Sequence, residues 1–254
     1  SGTGINNGVI SLAQEGIHAM RVVQGTITNN KTISLTGDNA AGMVIQGTGT
    51  ATNETSGNIS VSGANAYAML ANGAGTATNN GTLDVQNANS YAMYADNGGT
   101  IVNSSGATIN TIGSSALYVK NGVAKNLGDI TNNNNGFHAI HVVSGSGTNS
   151  GNITLNGSDA AGLYAQSGTL KNDGGTITMN GESNTTGILG ETGTVSVTNS
   201  GTITVTASGA SGTGIEIAGG SVFNKGSIKV TSASGTGISI NTGSATNEAE
   251  INVT

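Results

Sequence analysis

The stretch Ala77-Thr78-Asn79-Asn80-Gly81-Thr82-Leu83-Asp84-Val85, followed by Ser90-Tyr91-Ala92-Met93-Tyr94-Ala95, holds one copy of the pattern that decides the fold. Its Asn79 belongs to a series: Asn7, Asn29, Asn53, Asn79, Asn103, Asn126, Asn149, Asn172, Asn199, Asn224 and Asn247. Successive members lie 22 to 27 residues apart. Four residues after Asn79 stands Leu83, and the same place in other copies holds Ile33, Ile130, Ile153 or Ile203. A repeat of this length running from end to end describes a solenoid, in which each turn buries its apolar face only against adjacent turns.

Within the quoted copy, alternation with a period of two puts Leu83 and Val85 on one face and Asp84 on the other. The same inward pair recurs as Ile33 and Leu35, Ile59 and Val61, Ile203 and Val205, and it turns polar at Thr111 and Asn132. A second segment carries an inward Met93, equivalent to Met43, Leu117, Leu163 and Ile238. Ala or Gly precedes that residue in every copy, from Ala19 to Gly237, which implies a tight corner with no room for a larger side chain. The third segment is of the Thr76-Ala77-Thr78-Asn79 type and ends on the asparagine series. These features predict an all-β fold: a right-handed parallel β-helix of about ten to eleven rungs of about 24 residues, with three short strands per rung. Residues 1–254 read as a single solenoid domain, a piece of a longer chain.

An inward amide in every rung needs a partner, and the next rung offers one. Asn29, Asn53, Asn79, Asn103, Asn126, Asn149, Asn172, Asn199, Asn224 and Asn247 are therefore assigned a structural role, stacking as a ladder that closes the corners.

Composition narrows the function. Gly numbers 43 of 254 residues, charged residues make up only 8%, and Pro and Cys are absent. The lack of Pro suits backbone N–H groups committed to ladders. Without Cys there is neither a disulfide nor a thiolate metal site. The formal charge of −6 and the single Arg21 argue against nucleic acid and acidic lipid as partners. No apolar run is long enough to cross a membrane as a helix, so direct insertion of this segment is not expected.

The outward position of the second segment gives the least ordinary column: Val44, Leu70, Tyr94, Tyr118, His141, Tyr164 and Leu189. Seven apolar or aromatic side chains on consecutive rungs form a candidate partner-binding stripe. Asp96, Lys120 and Gln166 lie two residues beyond three of them on the same side, as polar neighbours of the kind that bind sugar hydroxyls. The competing reading is that like residues stack because stacking stabilises the ladder. Catalytic signals are weak. The 13 acidic residues are scattered, Asp159 and Glu182 are the one loop pair on successive turns, and His138 and His141 lack a third ligand. The expectation is no metal, no cofactor and no catalysis.

The quoted turn, together with Ser200-Gly-Thr-Ile-Thr-Val205 and Gly212-Thr-Gly-Ile-Glu-Ile217, resembles passenger domains of bacterial type V autotransporters. The likeness is to the adhesin and self-association passengers of Gram-negative bacteria, fusobacterial or enterobacterial. It implies a β-helix at the bacterial cell surface, tethered to or released from the outer membrane. It also implies adhesion to a host-cell surface protein, matrix protein or glycan, or self-association with the same protein on neighbouring cells in aggregation and biofilm formation. A stalk that displays a distal binding tip is the alternative, followed by a polysaccharide-acting β-helix enzyme. The resemblance carries no family site residues over to this chain.

Overall fold

The computed structural model describes residues 2–112, 115–209 and 211–254. The chain is an all-β parallel β-solenoid of about ten turns with about 24 residues per turn, and no helix occurs among the described residues. It divides into two compact units, Ser1–Asp129 and Ile130–Thr254.

In the first unit each turn is built from three short strands, and equivalent strands of successive turns pair in parallel. The first-segment strands Val9–Leu12, Thr32–Leu35, Asn58–Val61, Thr82–Val85 and Thr108–Thr111 keep the inward column in register, with Ile10 on Ile33, Ile33 on Ile59, Ile59 on Leu83 and Leu83 on Ile109. Ile33, Ile59, Leu83 and Ile109 are fully buried. Each such side chain contributes roughly 1.5–3 kcal/mol by leaving water, realised only when the next turn covers it. Thr111 and Asn132 are buried at the polar places of this column.

The second-segment strands include Ala41–Ile45, Tyr67–Asn72 and Tyr91–Asp96. Their register pairs Tyr91 with Tyr67 and Met93 with Met69 but skips Ala92 and Ala68. The small residue thus marks the corner that the sequence predicts. Gly42 shows why size matters there: a Cβ at this position would lie 2.6 Å from the carbonyl oxygen of Ala68 and 3.1 Å from the Ile59 side chain.

In the second unit the first-segment column is Ile153, Ile177, Ile203 and Ile228, all fully buried and in register. The expectation of three separate strands per rung is corrected in its last turns. There the second and third segments run together as single long strands, Thr185–Asn199, Ser211–Asn224 and Ser234–Asn247. The reason is that pairing continues through the corner: Gly219 pairs with Thr242 and Gly220 with Gly243. One register shift remains, between Gly190 and Thr194.

The third segments end on the asparagine ladder. In the first unit Asn29 Nδ2 donates to Asn53 Oδ1 at 2.7 Å, Asn53 to Asn79 at 2.8 Å, Asn79 to Asn103 at 2.9 Å and Asn103 to Asn126 at 2.9 Å. In the second unit Asn149 donates to Asn172 and Asn172 to Asn199, each at 2.9 Å, then Asn199 to Asn224 and Asn224 to Asn247, each at 2.7 Å. The second hydrogen of these amides goes to a corner carbonyl, such as Gly81 O for Asn79 and Gly151 O for Asn149. The ladder corrects one sequence assignment. Asn6, not Asn7, is its first member, donating to Asn29 Oδ1 at 2.7 Å, whereas Asn7 is exposed and accepts from Asn30. Two adjacent asparagines satisfy the spacing equally, and only the strand pairing separates them.

Candidate functional site

The skipped small residue has a consequence for the surface. Strict alternation would put Tyr91 and Tyr94 on opposite faces of a strand. With Ala92 and Met93 both buried at the bend, Tyr91 and Tyr94 emerge on the same outer side, as do Tyr67 and Leu70 in the turn before. A second aromatic column therefore stands beside the predicted one. Sequence reasoning missed Tyr67 and Tyr91. Their signal was the invariant small residue in the second place of the segment, which breaks the period of two.

In the first unit the two columns meet in a patch of four half-buried tyrosines. Tyr67 and Tyr91 stack with ring centroids 5.7 Å apart and planes 11° from parallel, and Tyr94 and Tyr118 stack at 5.0 Å and 16°. Tyr94 meets Tyr67 edge-on at 5.2 Å and Tyr91 edge-on at 5.5 Å, while Tyr91 lies 5.0 Å from Tyr118 at a tilt of 59°. Such pairs add about 0.5–1.5 kcal/mol each beyond their buried area, so the patch is held rigid by its own rings. Burial pushes the phenols of Tyr67, Tyr94 and Tyr118 up from the ordinary value, and the Asp96 carboxylate adds to this at Tyr94 and Tyr118. They stay protonated in neutral solution and can donate as well as accept. Asp96 forms an ion pair with Lys120 at 3.2 Å, and Asn97 donates to Asn72 Oδ1 at 2.6 Å, giving the patch a polar margin.

In the second unit the equivalent columns bring together His138, His141 and Tyr164. His138 lies flat on Tyr164, with centroids 4.3 Å apart and planes 4° from parallel, and His141 meets Tyr164 edge-on at 4.5 Å. The Tyr164 hydroxyl donates to the Glu191 carboxylate. Burial pushes both imidazoles down to about 4, and the neighbouring His138 adds to the effect at His141. No group of three or more His, Asp and Glu side chains suited to a metal ion occurs among the described residues.

The predicted stripe is corrected at two positions. Val44 is 0% exposed and Tyr164 only 5%, so neither offers a side chain to a partner. Arg21 and Gln46 bond to each other on the outer side of Val44, and His138 and His141 pack around Tyr164. Leu70, Tyr94, Tyr118, His141 and Leu189 are half-buried and remain at the surface of their units. Gln166 is half-buried beside Tyr164, with its backbone carbonyl taken by Gly193 N–H at 2.7 Å. Of the loop pair, Asp159 accepts from the Asn184 amide at 2.9 Å, and Glu182 is exposed.

Comparison with known proteins gives a family match over part of the chain. Residues 1–106 are similar to the BigA third pectate lyase-like domain, a span that includes Tyr67, Tyr91 and Tyr94. No curated protein and no solved structure matches the chain.

Proposed function

We propose that the chain is a non-enzymatic segment of a bacterial cell-surface adhesin and that it holds a glycan on the tyrosine patch of its first unit. The patch itself carries this reading. Four mutually packed phenol rings, half open to water and fixed on strands, form a contiguous amphipathic surface of the kind that marks contact sites. Their faces and edges suit the C–H faces of sugar rings, and their hydroxyls, with Asp96, Lys120, Asn72 and Asn97 at the margin, suit the ring hydroxyls. The likeness over residues 1–106 supports a carbohydrate ligand, since pectate, a polysaccharide, gives that family its name. The adhesin reading also rests on the resemblance to autotransporter passengers, which would place the chain at the outer membrane surface. A host-cell or matrix protein and a second copy of the chain are the other partners this surface would suit.

The test is a glycan and matrix-protein array probed with this chain and with a Tyr91→Ser, Tyr94→Ser double variant. Loss of two ring platforms is expected to weaken binding to the recognised glycan by about 10-fold or more while the β-sheet circular dichroism is kept. Equal binding by both proteins would remove the patch as the site. An array on which the wild-type chain retains nothing would favour the stalk.

A further inference from the structure

The chain offers a one-electron oxidant few targets. It contains no Trp and no Cys, which leaves its five tyrosines and five methionines as the readily oxidised side chains. Met43, Met69, Met93, Met179 and Tyr164 are buried, and Met20 is half-buried. The four remaining phenols, Tyr67, Tyr91, Tyr94 and Tyr118, all stand in the half-open patch of the first unit. An electron is therefore lost most easily from that patch.

The ring pairs of the patch differ in what they could do as radicals. Tyrosyl radicals couple through ring carbons ortho to oxygen, and the two rings of the resulting biphenol lie edge to edge with a twist between them. Tyr67 and Tyr91 lie nearly parallel at 11°, and Tyr94 and Tyr118 at 16°, with faces rather than edges together. Both pairs are register partners on adjacent strands, so their backbones are held at the strand spacing of about 4.8 Å. A biphenol spreads its two side-chain carbons wider than that. Tyr67 with Tyr94 at 80°, and Tyr91 with Tyr94 at 75°, each aim an edge at a face. Tyr91 and Tyr118 differ from all of these. Their centroids lie 5.0 Å apart and their planes are tilted by 59°. Their anchors are offset along the strand as well as by a rung, because the register partner of Tyr118 is Tyr94.

We propose that Tyr91 and Tyr118 form a dityrosine bond under one-electron oxidation by hydrogen peroxide and a haem peroxidase. Each phenol loses one electron and one proton, and the two radicals join by a carbon–carbon bond between ortho positions. The hydrogen on each joined carbon then moves to the phenolic oxygen, which restores both rings. Two phenols and one hydrogen peroxide thus give one biphenol and two waters. Burial keeps Tyr118 protonated in neutral solution, so its electron leaves together with the proton. The rings already lie against each other, which makes coupling within the chain a unimolecular step that outruns coupling between chains. The product ties strand Tyr91–Asp96 to strand Ser115–Val119, a covalent link between adjacent rungs in a chain without Cys. Such a link closes a loop of little more than one rung and constrains the unfolded state. The bond needs only the ring geometry, so it stands or falls apart from the glycan reading of the same patch.

The experiment treats the whole chain, in dilute solution, with a haem peroxidase and hydrogen peroxide. Dityrosine fluorescence is measured in the monomer after separation by size, and peptide mass spectrometry locates the link. The expected product is a monomer in which the peptides of Tyr91 and Tyr118 are joined, with the loss of two hydrogen atoms. Tyr118→Phe is expected to lose most of the monomer fluorescence, and Tyr67→Phe to keep it. Both changes retain the ring, and matched circular dichroism shows that the variants fold. A link mapped to another pair, dityrosine found only in dimers, an undiminished signal from Tyr118→Phe, or no dityrosine at all would each overturn the proposal.

Discussion

At the scale of single residues, the asparagine amides show how little freedom the interior leaves. Asn103 is bonded on both sides: its oxygen accepts from the Asn79 amide, and its nitrogen donates to Asn126. Replacing it by Ala would strand a donor above and an acceptor below in a place with 0% exposure. Asn103→Ala is expected to cost about 3 kcal/mol, measured by denaturant unfolding, whereas Asn7→Ala at the exposed neighbouring position should fall within about 0.5 kcal/mol. The contrast also shows what sequence could and could not reveal. The inward role of the series was legible because an amide every turn needs a partner. The choice of Asn6 over Asn7 was not, because it rests on which strand residues pair. Tyr67 and Tyr91 escaped for the related reason that a local bend resets the alternation, and a period of two cannot report its own interruption.

At the scale of elements, the corners decide how each rung turns. Gly220 has φ of +120° and sits against the backbone of Val195 in the rung before. Ala at this place would meet both an unfavourable left-handed conformation and a carbonyl with no room to retreat. Gly220→Ala is expected to cost about 2 kcal/mol or more, against near neutrality for Gly8→Ala, where nothing lies within 4 Å of the added carbon. Thermal unfolding of the two variants checks this. The strands and their inward columns could be read from the sequence because apolar side chains recur with the rung. The merging of second and third segments after Thr185 could not, since it depends on backbone pairing through a corner and leaves no side-chain mark.

At the scale of the whole molecule, stability should depend on pH through the buried imidazoles. His138 and His141 titrate near 4 in the folded chain and near 6.5 when unfolded. Between those values the unfolded chain binds more protons, so stability is full above about 6.5 and declines as the pH falls toward 4, below which this contribution no longer changes. The groups facing them are Tyr164 and Glu191, and the carboxylate offsets part of the burial at His138. The melting temperature is expected to drop by about 5 °C between pH 7 and 4.5, and a His138→Phe, His141→Phe variant should flatten that drop. The ladder has a further meaning at this scale. Each of these amide-to-amide bonds runs the same way within its unit, from an N–H of the earlier rung to the oxygen of the later one. The column is thus a polarised series in which each dipole strengthens the next. A rung therefore presents an amide donor to the rung that follows and an amide oxygen to the rung before it, so the two open edges of a ladder are chemically different: one asks for an acceptor and the other for a donor.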